Sequence, residues 1–261
     1  MRKLALLLLL TLPVAAEVIV PQPGAPRVWV PVAGHAQGAN GTFFRSEISV
    51  TNLRNTTQRV RVYWLPQGSS GLATPLQTYD IPAGRGLASD DFVDRLLLQS
   101  GLGAIEIVGV TNTGALDPQA LLHVTSRIWT PRPDGGEGTM SQTFPAVIAG
   151  ASPASNVKEI YGMRRGSQYR LNVGVLNPSA SAQRFRVVVT IDGPSGVSVE
   201  TVELDVPSRA IQQVLIPGTG TGVAFVRVED LDGGAGDWQT WASSVDNQSG
   251  DAWSQMGFAR P

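Results

Sequence analysis

The sequence predicts an all-β protein made of two tandem β-sandwich repeats behind a cleaved signal peptide. Three observations predict it: an apolar leader, one stretch of sequence written twice, and apolar residues that alternate with period two between turn residues. The chain has 261 residues with 29 Gly, 18 Pro and no Cys. Frequent Val and Thr among so many turn formers fit short strands joined by tight connections.

Residues 1–16 read as an export signal. Arg2 and Lys3 give a positive start, Leu4 to Leu12 an apolar run, and Val14-Ala15-Ala16 the small residues that place cleavage after Ala16. About nine to eleven apolar residues are too few to span a bilayer, and no later run is long enough, so no transmembrane anchor is expected. No cysteine follows the run, which excludes a lipid anchor attached through one. The expected address is secreted or periplasmic.

Removing Arg2 and Lys3 leaves 18 basic residues against 21 acidic ones, a formal charge of -3. A near-neutral chain lacks the clustered basic footprint of a nucleic-acid surface. Without disulfides, the core must hold by burial alone. The remaining residues suit two domains of about 115 to 125 each, a size at which one apolar core suffices.

The repeat lies at an offset of 125. Phe44-Arg45-Ser46-Glu47-Ile48-Ser49-Val50-Thr51-Asn52 matches Tyr169-Arg170-Leu171-Asn172-Val173-Gly174-Val175-Leu176-Asn177, Gln58 to Val62 matches Gln183 to Val187, and Ile81-Pro82 matches Val206-Pro207. Further on, Ala104 to Ile107 aligns with Phe225 to Val228, Ser126-Arg127-Ile128 with Ser243-Ser244-Val245, and Ser141-Gln142 with Ser254-Gln255. Val30 to Gly34 resembles Pro145 to Gly150. The expected layout is a linker at 17–29, one repeat at 30–145 and another at 146–261, each of about seven strands. Ala151 to Gly166 reads as an insertion in the second copy, and Asp90 to Gln99 as the one short helix.

Pairs such as Ile48 and Val50, Val60 and Val62, or Val226 and Val228 alternate with polar residues, as strands with one buried face require. Asn177-Pro178, Asp192-Gly193-Pro194 and Asp232-Gly233-Gly234 supply turns. Phe144 to Gly150 both closes the first unit and opens the second, so the pair is expected to be semi-rigid.

The pattern aromatic-Arg-x-x-aliphatic-x-aliphatic-x-Asn, an Arg-flanked aliphatic strand, aliphatic-Pro, and Ser244-Val245-Asp246-Asn247 to Gly250-Asp251 resembles the tandem immunoglobulin-like repeats in secreted proteins of Acidobacteria-type bacteria. The resemblance implies immunoglobulin-like β-sandwich domains and an extracytoplasmic address. It brings no catalytic residue.

Little chemistry is visible in the residues. The only histidines are His35 and His123, and alternation points His123 away from the face of Leu122 and Val124. Motifs for nucleophilic or nucleotide chemistry are missing. Asp90, Asp91 and Asp94 read as the charged cap and first turn of a helix. Arg45 and Arg170 recur in both copies and read as strand arginines paired with a carboxylate or carbonyls. The acidic stretch Glu229 to Asp237 offers Asp230, Asp232 and Asp237 as candidate calcium ligands, and no other cofactor is expected.

Aligning Trp241 with Val124 and Trp238 with Leu121 puts Trp241 in the core and Trp238 on the opposite face. There Trp238, with Asp237 and Asp232, is a candidate platform for a sugar ring; in the competing reading Trp238 covers the 151–166 segment or the other domain. The expected function is a non-catalytic structural, adhesive or ligand-presenting protein whose partner is a protein or polysaccharide of the cell envelope, not a nucleic acid. A carbohydrate-binding protein is the alternative, and a glycosidase-like enzyme the third.

Overall fold

The computed structural model describes residues 24–259 except 133–134, 152–153 and 234–236; the leader expected at 1–16 lies outside the described residues. Among the described residues the chain is all-β with antiparallel sheets, one short α-helix and a single 3-10 turn at Ala39–Gly41. The first half comprises β1 (Arg27–Gln37), β2 (Phe43–Asn52), β3 (Gln58–Pro66), β4 (Gln77–Ile81), β5 (Gly86–Ser89), α1 (Phe92–Leu97), β6 (Gly101–Val110), β7 (Leu122–Pro131), β8 (Thr139–Thr143) and β9 (Val147–Ile148). The second comprises β10 (Val157–Arg165), β11 (Tyr169–Asn177), β12 (Gln183–Gly193), β13 (Gly196–Val206), β14 (Ala210–Leu215), β15 (Gly222–Asp230), β16 (Gln239–Asp246), β17 (Ala252–Met256) and β18 (Phe258–Ala259). No helix among the described residues is long and apolar enough to cross a membrane.

One pairing scheme occurs twice. The order β4-β3-β6-β1 with β9 added to β1 recurs as β13-β12-β15-β10-β18, and β5-β2-β7-β8 recurs as β14-β11-β16-β17. In the first half β1 also pairs with β2 at His35 and Arg45, which joins its two layers into one nine-stranded sheet. Alternation along β2, β3 and β12 sends Ile48, Val50, Val60, Val62, Val187 and Val189 inward, and each half has its own apolar cluster between its layers.

Four expectations change. Among the described residues each half has nine strands, one of them (β9 or β18) only two residues long, where about seven were counted. The first strand begins at Arg27, and Val147–Ile148 pair back onto β1 and so belong to the first half. The 151–166 segment is no insertion, because Val157–Arg165 is the second half's counterpart of β1. Lys158 and Glu159 stand where β1 has Val28 and Trp29, and those charges hide the strand in the sequence.

The fourth change is one of register. Val50 pairs with Val124, and its counterpart Val175 pairs with Thr240. Trp241 therefore matches exposed Thr125, and Trp238 matches buried Leu122, one residue away from the sequence alignment. A slip of one residue reverses both faces of a strand.

A third apolar cluster joins the halves: Trp29, Val32, Leu65 and Ala104 from β1, β3 and β6 meet Leu176, Ile211 and Trp241 from β11, β14 and β16, with Phe144 alongside. Beside it Glu106, 1% exposed, accepts from Arg27 and from Arg209 of the second half at 2.7 Å. The 67–72 connection reaches across to hold that contact. Gly68 N–H donates to Ile211 and Gly71 N–H to Arg209, and a Cβ at Gly71 would come within 2.3 Å of the Arg209 carbonyl.

The Asn that ends each recurring block has one job in both halves. Asn52 Nδ2 donates to Thr56, Ile81 and Pro82 carbonyls, and Asn177 Nδ2 to Ser181, Val206 and Pro207. Both side chains are fully buried. Asn52→Ala and Asn177→Ala should each cost roughly 1–3 kcal/mol, since the carbonyls lose their donor inside the protein. Urea unfolding of each variant checks this, and a change below about 0.5 kcal/mol in both would refute the shared role.

Candidate functional site

A cleft of about 420 Å³ lies between the halves. Its floor is apolar, with Val32, Leu102, Ile128, Phe144 and Val245. Its polar groups come from both halves: Gln37, Gln67 and Gln142 on one side, Arg170, Asn172, Gln213 and Ser243 on the other. Gln142 Nε2 donates to Ser243 Oγ at 2.7 Å across the junction, and Arg170 Nη1 to Asn247 Oδ1 at 3.1 Å. No carboxylate, histidine or lysine lines the cleft among the described residues.

The repeat explains these groups. Asn172 and Ser243 pair across β11 and β16 where Glu47 and Arg127 pair across β2 and β7. The first half keeps Glu47 and Arg127 as an ion pair at 2.7 Å on an open face; the second has neutral groups where the face is covered. A wider hollow of about 730 Å³ lies on that open face, and its acids are already matched, Glu47 with Arg127 and Asp90 with Arg95. Arg170 was visible as a recurring residue, whereas the amides were not, because they are scattered from Gln37 to Gln213 with no short spacing.

Apart from Arg170, the residues singled out in the sequence fall elsewhere. Trp238 is 2% exposed and packs in the core of the second half, with Nε1 donating to the Ser155 carbonyl, so its indole is no exposed platform. Trp241 is fully buried too, but on the other face, against the first half, over Gly174, where a Cβ would come within 2.1 Å of its ring. Asp237 borders a smaller cleft with Arg27 and Trp29. Asp232 is taken up by Arg184, whose guanidinium and backbone N–H hold its carboxyl below the usual carboxylate range. Asp230 accepts from the Asp232 N–H. Among the described residues these three acids do not converge as a metal cluster.

Arg45 and Arg170 share a position but not a partner. Arg45 lies 3.5 Å from Asp91 and over the rings of Phe43 and Trp129. Asp91 stands at the N-cap of α1, within the expected helix, yet makes no side-chain cap; its carboxylate turns to His35 instead. His123 is exposed, as alternation requires.

Lys158, in the place of Val28, is fully buried. Its ammonium donates to the Trp238 carbonyl and lies 4.8 Å from the Trp238 ring centroid. Burial pushes its pKa down from 10.5 to about 8, with the Asp237 charge opposing. The unfolded chain therefore holds this proton more tightly than the folded one.

Two outcomes follow from these placements. Trp238→Ala and Trp241→Ala should cost similar amounts, roughly 3–5 kcal/mol each, as truncations of buried rings; urea unfolding measures both, and a near-neutral Trp238→Ala would restore the exposed platform. For Lys158, both states are protonated below about pH 8, so the burial penalty is fully present there. Stability should then rise by roughly 3 kcal/mol between pH 8 and 10.5 as only the folded state sheds its proton. Unfolding of the wild type and Lys158→Met across that range isolates the effect, because the variant should lack this rise; parallel curves would count against it.

No known protein-family model matches the chain, and no curated protein matches it.

Proposed function

We propose that the protein is a non-catalytic binding module of the cell exterior or periplasm, two immunoglobulin-like sandwiches that hold an envelope polysaccharide or protein segment in the cleft between them. One observation carries the reading: the cleft's polar side chains are amides, two serine hydroxyls and one guanidinium over an apolar floor. General acid–base chemistry needs a group that changes protonation near the working pH, and a guanidinium does not. Amides that both donate and accept suit a ligand rich in hydroxyl or peptide groups, and the apolar floor suits its C–H faces. Arg170, without a carboxylate beside it in the cleft, favours a ligand with an anionic group.

The rigid junction supports the same reading. A cleft built from two halves keeps its shape only if the halves stay in place, and Glu106 with the shared apolar cluster fixes them. The apolar leader and the resemblance to exported tandem repeats support the address.

The test is a glycan array together with pull-down from envelope extract, run on the wild type, Arg170→Ala and Asn172→Ala. Both variants should lose at least about tenfold in affinity for whatever the wild type retains, about 1.4 kcal/mol, with unchanged thermal midpoints. Undiminished binding by both would remove the cleft as the site.

A further inference from the structure

The first half carries a cluster that the cleft does not use. His35 near the end of β1, Asp91 before α1 and Asp94 in its first turn each present one ligand atom, all within 4.8 Å of one another. His35 Nδ1 lies 2.9 Å from Asp91 Oδ2. Asp91 is 4% exposed, and its second oxygen, Oδ1, is buried with no hydrogen-bond partner. An Asp at an N-cap ordinarily accepts from the first-turn N–H groups. Asp91 forgoes that bond and turns its carboxylate into the cluster.

We propose that His35, Asp91 and Asp94 form a binding site for a divalent transition-metal ion of the Zn²⁺ class. The ligand types decide the class. An imidazole nitrogen with two carboxylates suits Zn²⁺ and its neighbours, whereas Ca²⁺ asks for six to eight oxygens. Zn–N and Zn–O bonds of about 2.0–2.2 Å place tetrahedral ligands about 3.3 Å apart, and the three ligand atoms already lie within 4.8 Å of one another. Asp91 Oδ1 gains the partner it lacks.

Charge is consistent with this. The two carboxylates face one cation already present, Arg45, whose guanidinium is 3.5 Å from Asp91 and held over Phe43 and Trp129. The nearby Asp90 is paired with Arg95. One negative charge is left over, on the side where Asp94 is exposed to solvent. The second half is an internal control: Arg165 stands in the place of His35 and donates to the carbonyls of Ile216, Gly218 and Gly220, with no carboxylate in that loop.

The experiment is calorimetric titration of the untagged, chelator-treated chain with Zn²⁺ and, separately, Ca²⁺, with the thermal midpoint followed in parallel. Zn²⁺ should bind once per chain and raise the midpoint, and Ca²⁺ should do neither at the same concentration. His35→Ala and Asp94→Asn should each weaken Zn²⁺ binding at least roughly tenfold. Asp94 is exposed, so Asp94→Asn keeps the fold, which an unchanged metal-free midpoint verifies. Absence of Zn²⁺ binding at millimolar concentration, equal binding of Ca²⁺, or wild-type affinity in Asp94→Asn would each overturn the proposal.

Discussion

Glu106 is a carboxylate 1% exposed between the two halves, and such a charge is tolerable only where cations meet it at close range. Arg27 meets it from its own half and Arg209 from the other, so the ion group exists only when the halves are docked. Arg209 is placed for this by a left-handed backbone at φ 49°, by Ser179 accepting its N–H, and by Tyr63, whose ring lies under its guanidinium. Around this point the Trp29, Leu65, Ala104, Ile211 and Trp241 side chains exclude water.

The docking makes two similar halves unlike. It joins the outer face of β1, β3 and β6 to the outer face of β11, β14 and β16, so each half contributes a different surface, as in a head-to-tail contact. The unused counterparts have diverged. Ala104 and Glu106 correspond to Phe225 and Arg227, and Phe225 stacks with Tyr161, which stacks in turn with Phe258 at a surface left open. On the first half, the face that matches Trp241 and Ser243 shows Thr125 and Arg127 to solvent.

The same asymmetry governs the chemistry. The cleft belongs to neither half alone, and it collects amides because strand positions that carry an ion pair on the open face carry Asn172 and Ser243 on the covered one. Titratable groups sit elsewhere: Lys158 inside the second core, and His35 with Asp91 beside the helix that closes the first. The proposed binding cleft and the proposed metal site are thus spatially separate on one scaffold.

The sequence by itself determined the strand-rich class, the recurrence of Phe44 to Asn52 in Tyr169 to Asn177, the short helix and the outward direction of His123, because period-two alternation and turn residues are local properties of a chain. It misplaced Trp238 and Trp241, since both faces of β16 are buried and no alternation remains to fix the register. It hid β10 behind Lys158 and Glu159, whose burial depends on the Trp238 carbonyl and on neighbours far along the chain. Only the tertiary structure decided which outer face is covered, which amides share a cleft, and that His35 meets Asp91, 56 residues away. Those outcomes depend on how one sheet docks on another, an interaction between distant segments that has no spacing rule for a sequence to display.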